Sequence, residues 1–273
     1  MSTKRVVISG CSSGLGFAMA QAFLDRDWKV IGLSRNEQNH PIAHKNFMLV
    51  TINNESLDFN ELQKIMISHL TPGIDLLINN AGFALVGALE SLDEKSITQQ
   101  MTVNFLSHVM ITKACLPALR KKKGKILNIS SAFGLVGFPL HSLYCASKFA
   151  LEGFSESLYY ELHGQGIQCS VIEPGRYKTQ FSHHMQVTPP KESLHATYLD
   201  SHHGFLRLKQ ELSNKAANNI DLFAQKIVQL AQRDKLPIRI PIDLDSRLPY
   251  LLKKYLPSRL FAWLQYKMIA KYV

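Results

Sequence analysis

The sequence predicts an α/β protein built on a doubly wound parallel sheet. Three observations lead there. Short apolar, β-branched runs alternate with longer stretches of helical periodicity. The first run, Arg5–Ser9, ends in a glycine-rich turn, Gly10-Cys11-Ser12-Ser13-Gly14-Leu15-Gly16. A helical pattern (Leu15, Met19, Ala22, Phe23) opens directly from that turn. Such strands read as continuously apolar because a parallel sheet is covered on both faces.

The turn is a candidate anion site. A helix start offers free N–H groups and the positive end of a dipole, and glycines let a pyrophosphate approach the backbone. The spacing is Gly-x-x-x-Gly-x-Gly rather than the standard Gly-x-Gly-x-x-Gly fingerprint. A second strand, Lys29 to Ser34, ends in Ser34-Arg35-Asn36, without the carboxylate that holds a ribose 2′-hydroxyl. Arg35 suits a 2′-phosphate, which a guanidinium can grip with two bonds. NADP(H) is therefore expected over NAD(H); the competing reading makes Arg35 an ordinary surface residue.

Strands follow at Phe47–Ile52 and Ile74–Asn79, with an amphipathic helix at Leu57–Leu70 between them. The latter strand runs into Asn79-Asn80-Ala81-Gly82, at a strand end where the ligand crevice of such sheets lies. Asn104 falls in a helical run from Ser96 to Lys113. Lys125–Ile129 is a fifth strand ending in Ser130-Ser131, and Arg120–Lys123 before it reads as a solvated helix end. Tyr144 and Lys148 then stand four apart, one helical turn from each other on one face. A nearby ammonium favours a phenolate and makes Tyr usable in proton transfer. Taken alone the pair is unspecific.

Taken in order, these residues resemble the short-chain dehydrogenase/reductase family. The matching elements are Gly10-x-x-x-Gly14-x-Gly16, Asn79-Asn80-Ala81-Gly82, Asn104, Ser131, Tyr144-x-x-x-Lys148 and Glu173-Pro174-Gly175 with Thr179. They cover the chain to about residue 180. The resemblance implies one domain, residues 1–273, with a seven-stranded sheet. It implies that Tyr144 exchanges a proton with the substrate oxygen and that Lys148 lowers the phenol pKa and holds the nicotinamide ribose. Ser131 would bond the substrate oxygen, and Asn104 would fix a water in a relay to Lys148. The cofactor would lie against Gly10, Ser12, Ser13, Gly14, Leu15, Gly16, Arg35, Asn80, Ala81, Gly82, Pro174, Gly175 and Thr179, besides Tyr144 and Lys148. One departure is Thr51, where the family usually has an adenine-contacting Asp. Hydroxysteroid- and retinoid-acting members are the nearer likeness.

Gln168–Glu173 reads as the sixth strand and Pro237–Pro241 as the seventh, with a helix from Leu222 to Ala231 between them. The connection 180–219 shows no clear strand and is expected to be a partly helical substrate lid, with Leu194, Tyr198, Phe205, Leu206 and Leu208 on its inner side. His183-His184 and His202-His203 lack metal-ligand spacing, so no metal is expected.

Of the formal charge of +10, residues 1–180 hold 17 Lys/Arg against 14 Asp/Glu and residues 181–273 hold 14 against 7. No nucleic-acid motif accompanies that charge, and nucleic acid is not an expected partner. Cys11, Cys115, Cys145 and Cys169 form no Cys-x-x-Cys and read as buried thiols. The chain leaves no room for a signal peptide before its first strand, and no apolar run reaches a membrane span, so a cytoplasmic protein is expected.

The tail 246–273 has no acid and mixes basic with aromatic and leucine residues. It suits an amphipathic helix at a membrane surface, with packing on its own domain or on a partner subunit as alternatives. The resemblance also implies a dimer or tetramer.

The functional expectation is an NADP(H)-dependent oxidoreductase acting on an apolar carbonyl or alcohol of steroid, retinoid or lipid type. A 3-oxoacyl thioester reductase is the rival within the class. A non-catalytic NADP(H)-binding, redox-sensing module is the rival outside it.

Overall fold

The computed structural model describes residues 3–35, 41–53, 58–182, 185–189, 191, 195–213 and 218–270. Asn36, His183, His184 and Leu194 lie outside them. A single sheet organises the chain, with strand order β3-β2-β1-β4-β6-β7-β9 and every pairing parallel. Its strands are β1 (Arg5–Ser9), β2 (Lys29–Ser34), β3 (Phe47–Thr51), β4 (Leu76–Asn79), β6 (Lys125–Ile129), β7 (Gln168–Glu173) and β9 (Arg239–Pro241). The strand order reverses between β1 and β4, and their C-terminal ends open the crevice expected at a topological switch point.

Successive strand residues point to opposite faces, so each strand feeds two cores. Val6, Ile8, Leu76 and Ile78 pack under α1 (Gly14–Leu24) and α7 (Ile220–Gln232), where Phe23 and Phe223 are fully buried. Val7, Leu77 and Ile126 pack on the other face, under α2 (Phe59–Leu70), α4 (Ser107–Lys122) and α5 (Ser142–His163). All four cysteines are buried in this framework and form no disulfide among the described residues.

Three expectations need correction. The helical run carrying Asn104 is α3 (Glu94–Met101), a π-helical turn at Thr102–Leu106, and then α4. The connection after β7 contains a strand after all: β8 (Gln186–Val187) pairs in parallel with β5 (Leu85–Val86) and precedes α6 (Ala196–Ser213). Two residues are too few to show a periodicity. The tail forms two helices, α8 (Leu244–Tyr255) and α9 (Ser258–Ile269), broken at Leu256, which is extended as a residue before proline prefers. No helix of the described residues is long and apolar enough to cross a membrane.

Candidate active site

β1 delivers the chain into the turn at Gly10, whose N–H donates to the Leu33 carbonyl at 2.9 Å. Gly10 and Gly14 hold φ of 69° and 57°, the left-handed region that glycine tolerates best. A Cβ on Gly10 would come within 2.8 Å of the Ala81 Cα, so the two loops touch backbone to backbone. Asn80 fastens that contact by donating to the carbonyls of Ser9 and Gly10 at 3.1 and 3.0 Å. The Ser9 hydroxyl accepts from the N–H groups of Asn80 and Ala81 at 2.9 and 3.1 Å. The α1 N-cap, Ser13, makes no side-chain capping bond. The helix start, whose Gly14 and Leu15 line the crevice, thus has no capping bond from the Ser13 side chain on its first N–H groups.

Deeper in, α5 presents Tyr144 and Lys148 on one buried face. Lys148 Nζ donates to the Ile129 carbonyl at 2.9 Å and lies 5.9 Å from the Tyr144 ring centroid. Ser131 begins the short helical turn Ala132–Gly134 and accepts the Phe133 N–H at 3.1 Å. Burial pushes the Tyr144 phenol up to about 12, and the Ser131 hydroxyl, hydrogen-bonded to it, opposes that rise weakly. Burial also brings Lys148 down to about 8, against the pull of the Glu152 charge. The phenol thus stands above its ordinary value and the ammonium below its own, with burial the largest cause for both.

The Asn104 side chain is engaged by groups of the chain itself. Its amide clasps Phe83, accepting from the N–H at 3.0 Å and donating to the carbonyl at 2.9 Å, and it also donates to Ser147 Oγ at 3.2 Å. No hydrogen bond joins it to Lys148 among the described residues. It shapes the loop after β4, and the π turn that carries it is a distortion frequent at functional sites.

One cavity of about 470 Å³ gathers the site. Gly10, Ser12, Ser13, Gly14 and Leu15 line it from the turn, with Arg35 beside them. Asn80, Ala81 and Gly82 line it from β4; Ser131, Tyr144 and Lys148 form its inner end; and Pro174, Gly175 and Thr179 line it from β7. Gly16 and Asn104 stand behind the wall. Gly16 is packed so closely on Gly10 and Asn80 that no side chain fits there. Thr51 pairs with Ser34 at the end of β3, is exposed, and does not line the cavity.

Sequence reasoning missed several lining residues. Gln99 and Val103 project from the helical run, and Phe181 and Gln186 come from the connection after β7. Tyr177 is held there by Asp243, which accepts from its phenol at 3.0 Å and from the Gly175 N–H at 2.8 Å. Asp243 also caps α8, so it ties the loop after β7 to the tail. Beside Tyr144, an apolar wall forms from Phe133, Phe181 and Phe205, with ring centroids 6.1 and 6.0 Å away for the first two.

This fold is a doubly wound α/β nucleotide-binding type, with the candidate site at its topological switch point. The chain matches the short chain dehydrogenase family over residues 4–189 and belongs to it. It is 36% identical to an uncharacterized oxidoreductase, YusZ, of Bacillus subtilis, across 99% of this chain and 98% of that one. It is 37% identical to 3-ketodihydrosphingosine reductase of Bacteroides thetaiotaomicron, across 69% of each. Human retinol dehydrogenase 8 is 30% identical, across 90% of this chain and 82% of that one. The solved short-chain dehydrogenase of Streptomyces avermitilis shares the fold with a TM-score of 0.78 at 24% identity, covering 99% of this chain and 98% of that one. Members of the family bind nicotinamide cofactors and act on small molecules.

Proposed function

We propose that this chain is an NADP(H)-dependent oxidoreductase that exchanges hydride with the carbonyl or secondary alcohol of an apolar substrate, with Tyr144 as general acid and base. The observation that carries the reading is the single cavity joining the glycine turn and Arg35 at one end to Ser131, Tyr144 and Lys148 at the other.

The residues present fit such a cofactor. The Gly10–Gly14 turn and the uncapped start of α1 suit a pyrophosphate. Ser12 and Arg35 suit a 2′-phosphate; Thr51, away from the cavity, leaves the adenine without the family's usual acidic partner. Pro174, Gly175 and Thr179 suit the nicotinamide end, as does Lys148. When bound, the cofactor supplies the hydride, and the protein positions it and manages the proton. In the reducing direction the Tyr144 O–H breaks as its proton passes to the substrate oxygen, and Ser131 donates a hydrogen bond to that same oxygen. Lys148 then compensates the charge left on the phenol.

The aromatic wall and the connection 180–219, read as a lid, suit an apolar body behind the reacting carbon. The printed activities of two relatives, a 3-ketodihydrosphingosine reductase and a retinol dehydrogenase, point the same way. Rates on ketones and aldehydes of sphingoid, steroid and retinoid type, set against 3-oxoacyl thioesters, test the substrate class. Preference for the thioesters would defeat it.

The tail suits docking on an anionic bilayer. Ten of the eighteen large exposed apolar side chains among the described residues lie between Leu244 and Met268, Trp263 and Tyr266 among them. They are interleaved with Arg247, Lys253, Lys254, Arg259 and Lys267 and only one acid, Asp245. Two such faces apposed about a twofold axis would bring like charges together, so a bilayer suits this surface better than a second copy. An oligomer of the kind common in the family would then use another face.

A further inference from the structure

The buried face of α5 does not stop at Lys148. One turn further on, at the same spacing of four, stands Glu152, itself only 5% exposed. Tyr144 and Lys148 line the cofactor cavity, whereas Glu152 lines a second cavity of about 390 Å³. The wall between them is the segment Ser130–Leu135, with Ser130 and Ser131 on the first side and Gly134 and Leu135 on the second. One helix face therefore runs from the reacting phenol, through the wall, to a separate opening.

Glu152 does not stand alone there. Arg239 Nη1 lies 3.0 Å from Glu152 Oε2 and 2.8 Å from Glu173 Oε1, and Glu173 is fully buried. Two carboxylates thus share one guanidinium nitrogen. Glu152 Oε1, Glu173 Oε2 and Ser130 Oγ are buried without a hydrogen bond of good geometry. Ionised carboxylates are acceptors only; one added proton gives the pair an O–H donor and leaves it, with Arg239, electrically balanced. Burial and mutual repulsion raise Glu173 well above the usual carboxylate range, and burial raises Glu152 despite Arg239. The other charged or titratable groups facing the pair are Lys148 on α5 and, on α8, Tyr250, Lys253 and Lys254. His108 of α4 faces Lys148 and is kept neutral, its pKa brought down to about 3 by burial.

We propose that Glu152 and Glu173 hold one shared proton and form a proton port, recharging Tyr144 through Lys148 from the second cavity. The inference rests on the reaction proposed above. In the reducing direction the Tyr144 O–H breaks to form the O–H of the product alcohol, and the hydride of the new C–H is what a bound nicotinamide would supply. The phenolate takes a proton from the Lys148 ammonium, the amine takes one from the carboxyl pair, and water in the second cavity returns it. Oxidation runs the same path outward. Glu152 and Glu173 are positioning residues in this scheme, since neither touches substrate.

The test has two arms. The first needs no turnover: pH-difference infrared spectroscopy of the wild-type protein should show a protonated-carboxyl band that persists to near-neutral pH and disappears in both Glu152→Gln and Glu173→Gln. No such band, or one unchanged in both variants, overturns the shared proton. The second arm is kinetic. Glu152→Gln keeps the Arg239–Glu173 pair and should still unfold cooperatively. It should lose roughly tenfold in kcat for ketone reduction, keep its KM for NADPH, lose the wild-type alkaline limb, and recover with added imidazole or in Glu152→Asp. A wild-type kcat and pH profile in Glu152→Gln overturns the port. Absence of turnover in the wild type on every carbonyl tried would instead defeat the proposed reaction, and the port with it, while leaving the infrared result to judge the carboxyl pair.

Discussion

Lys148 and Tyr144 lie one turn apart on α5, yet the ammonium bonds the Ile129 carbonyl at 2.9 Å rather than the phenol. The lysine is thereby fixed at the end of β6, between the strand that leads into Ser131 and the helix that carries the tyrosine. It is also desolvated, and that has a stability cost. The folded pKa, about 8, lies below the ordinary 10.5. Between those values the unfolded chain binds more protons, so this group makes stability rise with pH; below about pH 8 the whole cost of burying its charge is carried.

Lys148→Met should therefore stabilise the fold while stopping catalysis. Removing the buried charge should gain about 1–3 kcal/mol at pH 7, less what the Ile129 bond contributed. The gain should shrink as the pH rises from about 8 towards 10.5. Urea denaturation at several pH values measures it; a variant less stable than wild type at pH 7 would show that the buried ammonium is a net stabiliser.

Arg35 decides between the two cofactors in this account. Arg35→Ser should weaken NADPH binding by about 10- to 100-fold, the scale of a charged bidentate contact, and leave NADH binding nearly unchanged. Fluorescence titration with each dinucleotide reads both. Equal losses for the two would remove the 2′-phosphate assignment.

Gly16→Ala tests the packing of the turn. Its Cβ would overlap the Gly10 carbonyl and the Asn80 amide, both of which hold the loops in place. A loss of about 2 kcal/mol or more is expected, with cofactor binding falling alongside stability. Thermal unfolding with and without NADPH would show it.

The bilayer reading makes a separate prediction. The protein should co-sediment with phosphatidylglycerol vesicles, release as salt rises, and bind phosphatidylcholine vesicles weakly. Trp263→Ala should weaken the binding several-fold. Equal recovery with and without vesicles would return the tail to a role in packing.

Much of this was legible in the sequence because the relevant signals are local. Arg5–Ser9 followed by Gly10–Gly16 reads as strand, turn and helix without any distant contact, and Tyr144 and Lys148 share a face through helical spacing alone. Less visible were features made by tertiary contact. β8 is two residues long and exists because Leu85 and Val86 offer it an edge. Asp243 reaches Gly175 and Tyr177 across 68 and 66 residues of sequence. The phenol and ammonium pKa values depend on burial, which residue spacing does not report. Glu152 carries no local sequence signal; only Arg239 and Glu173 beside it make it notable.

The central claim is that the Tyr144 hydroxyl moves the proton and does not hold the cofactor alone. Tyr144→Phe, assayed by NADPH consumption on a ketone that the wild type reduces and by NADPH binding in parallel, tests it directly. The account predicts a loss of kcat of about 10²- to 10⁴-fold, with NADPH affinity within about twofold of wild type. Turnover at the wild-type rate without that hydroxyl would contradict it.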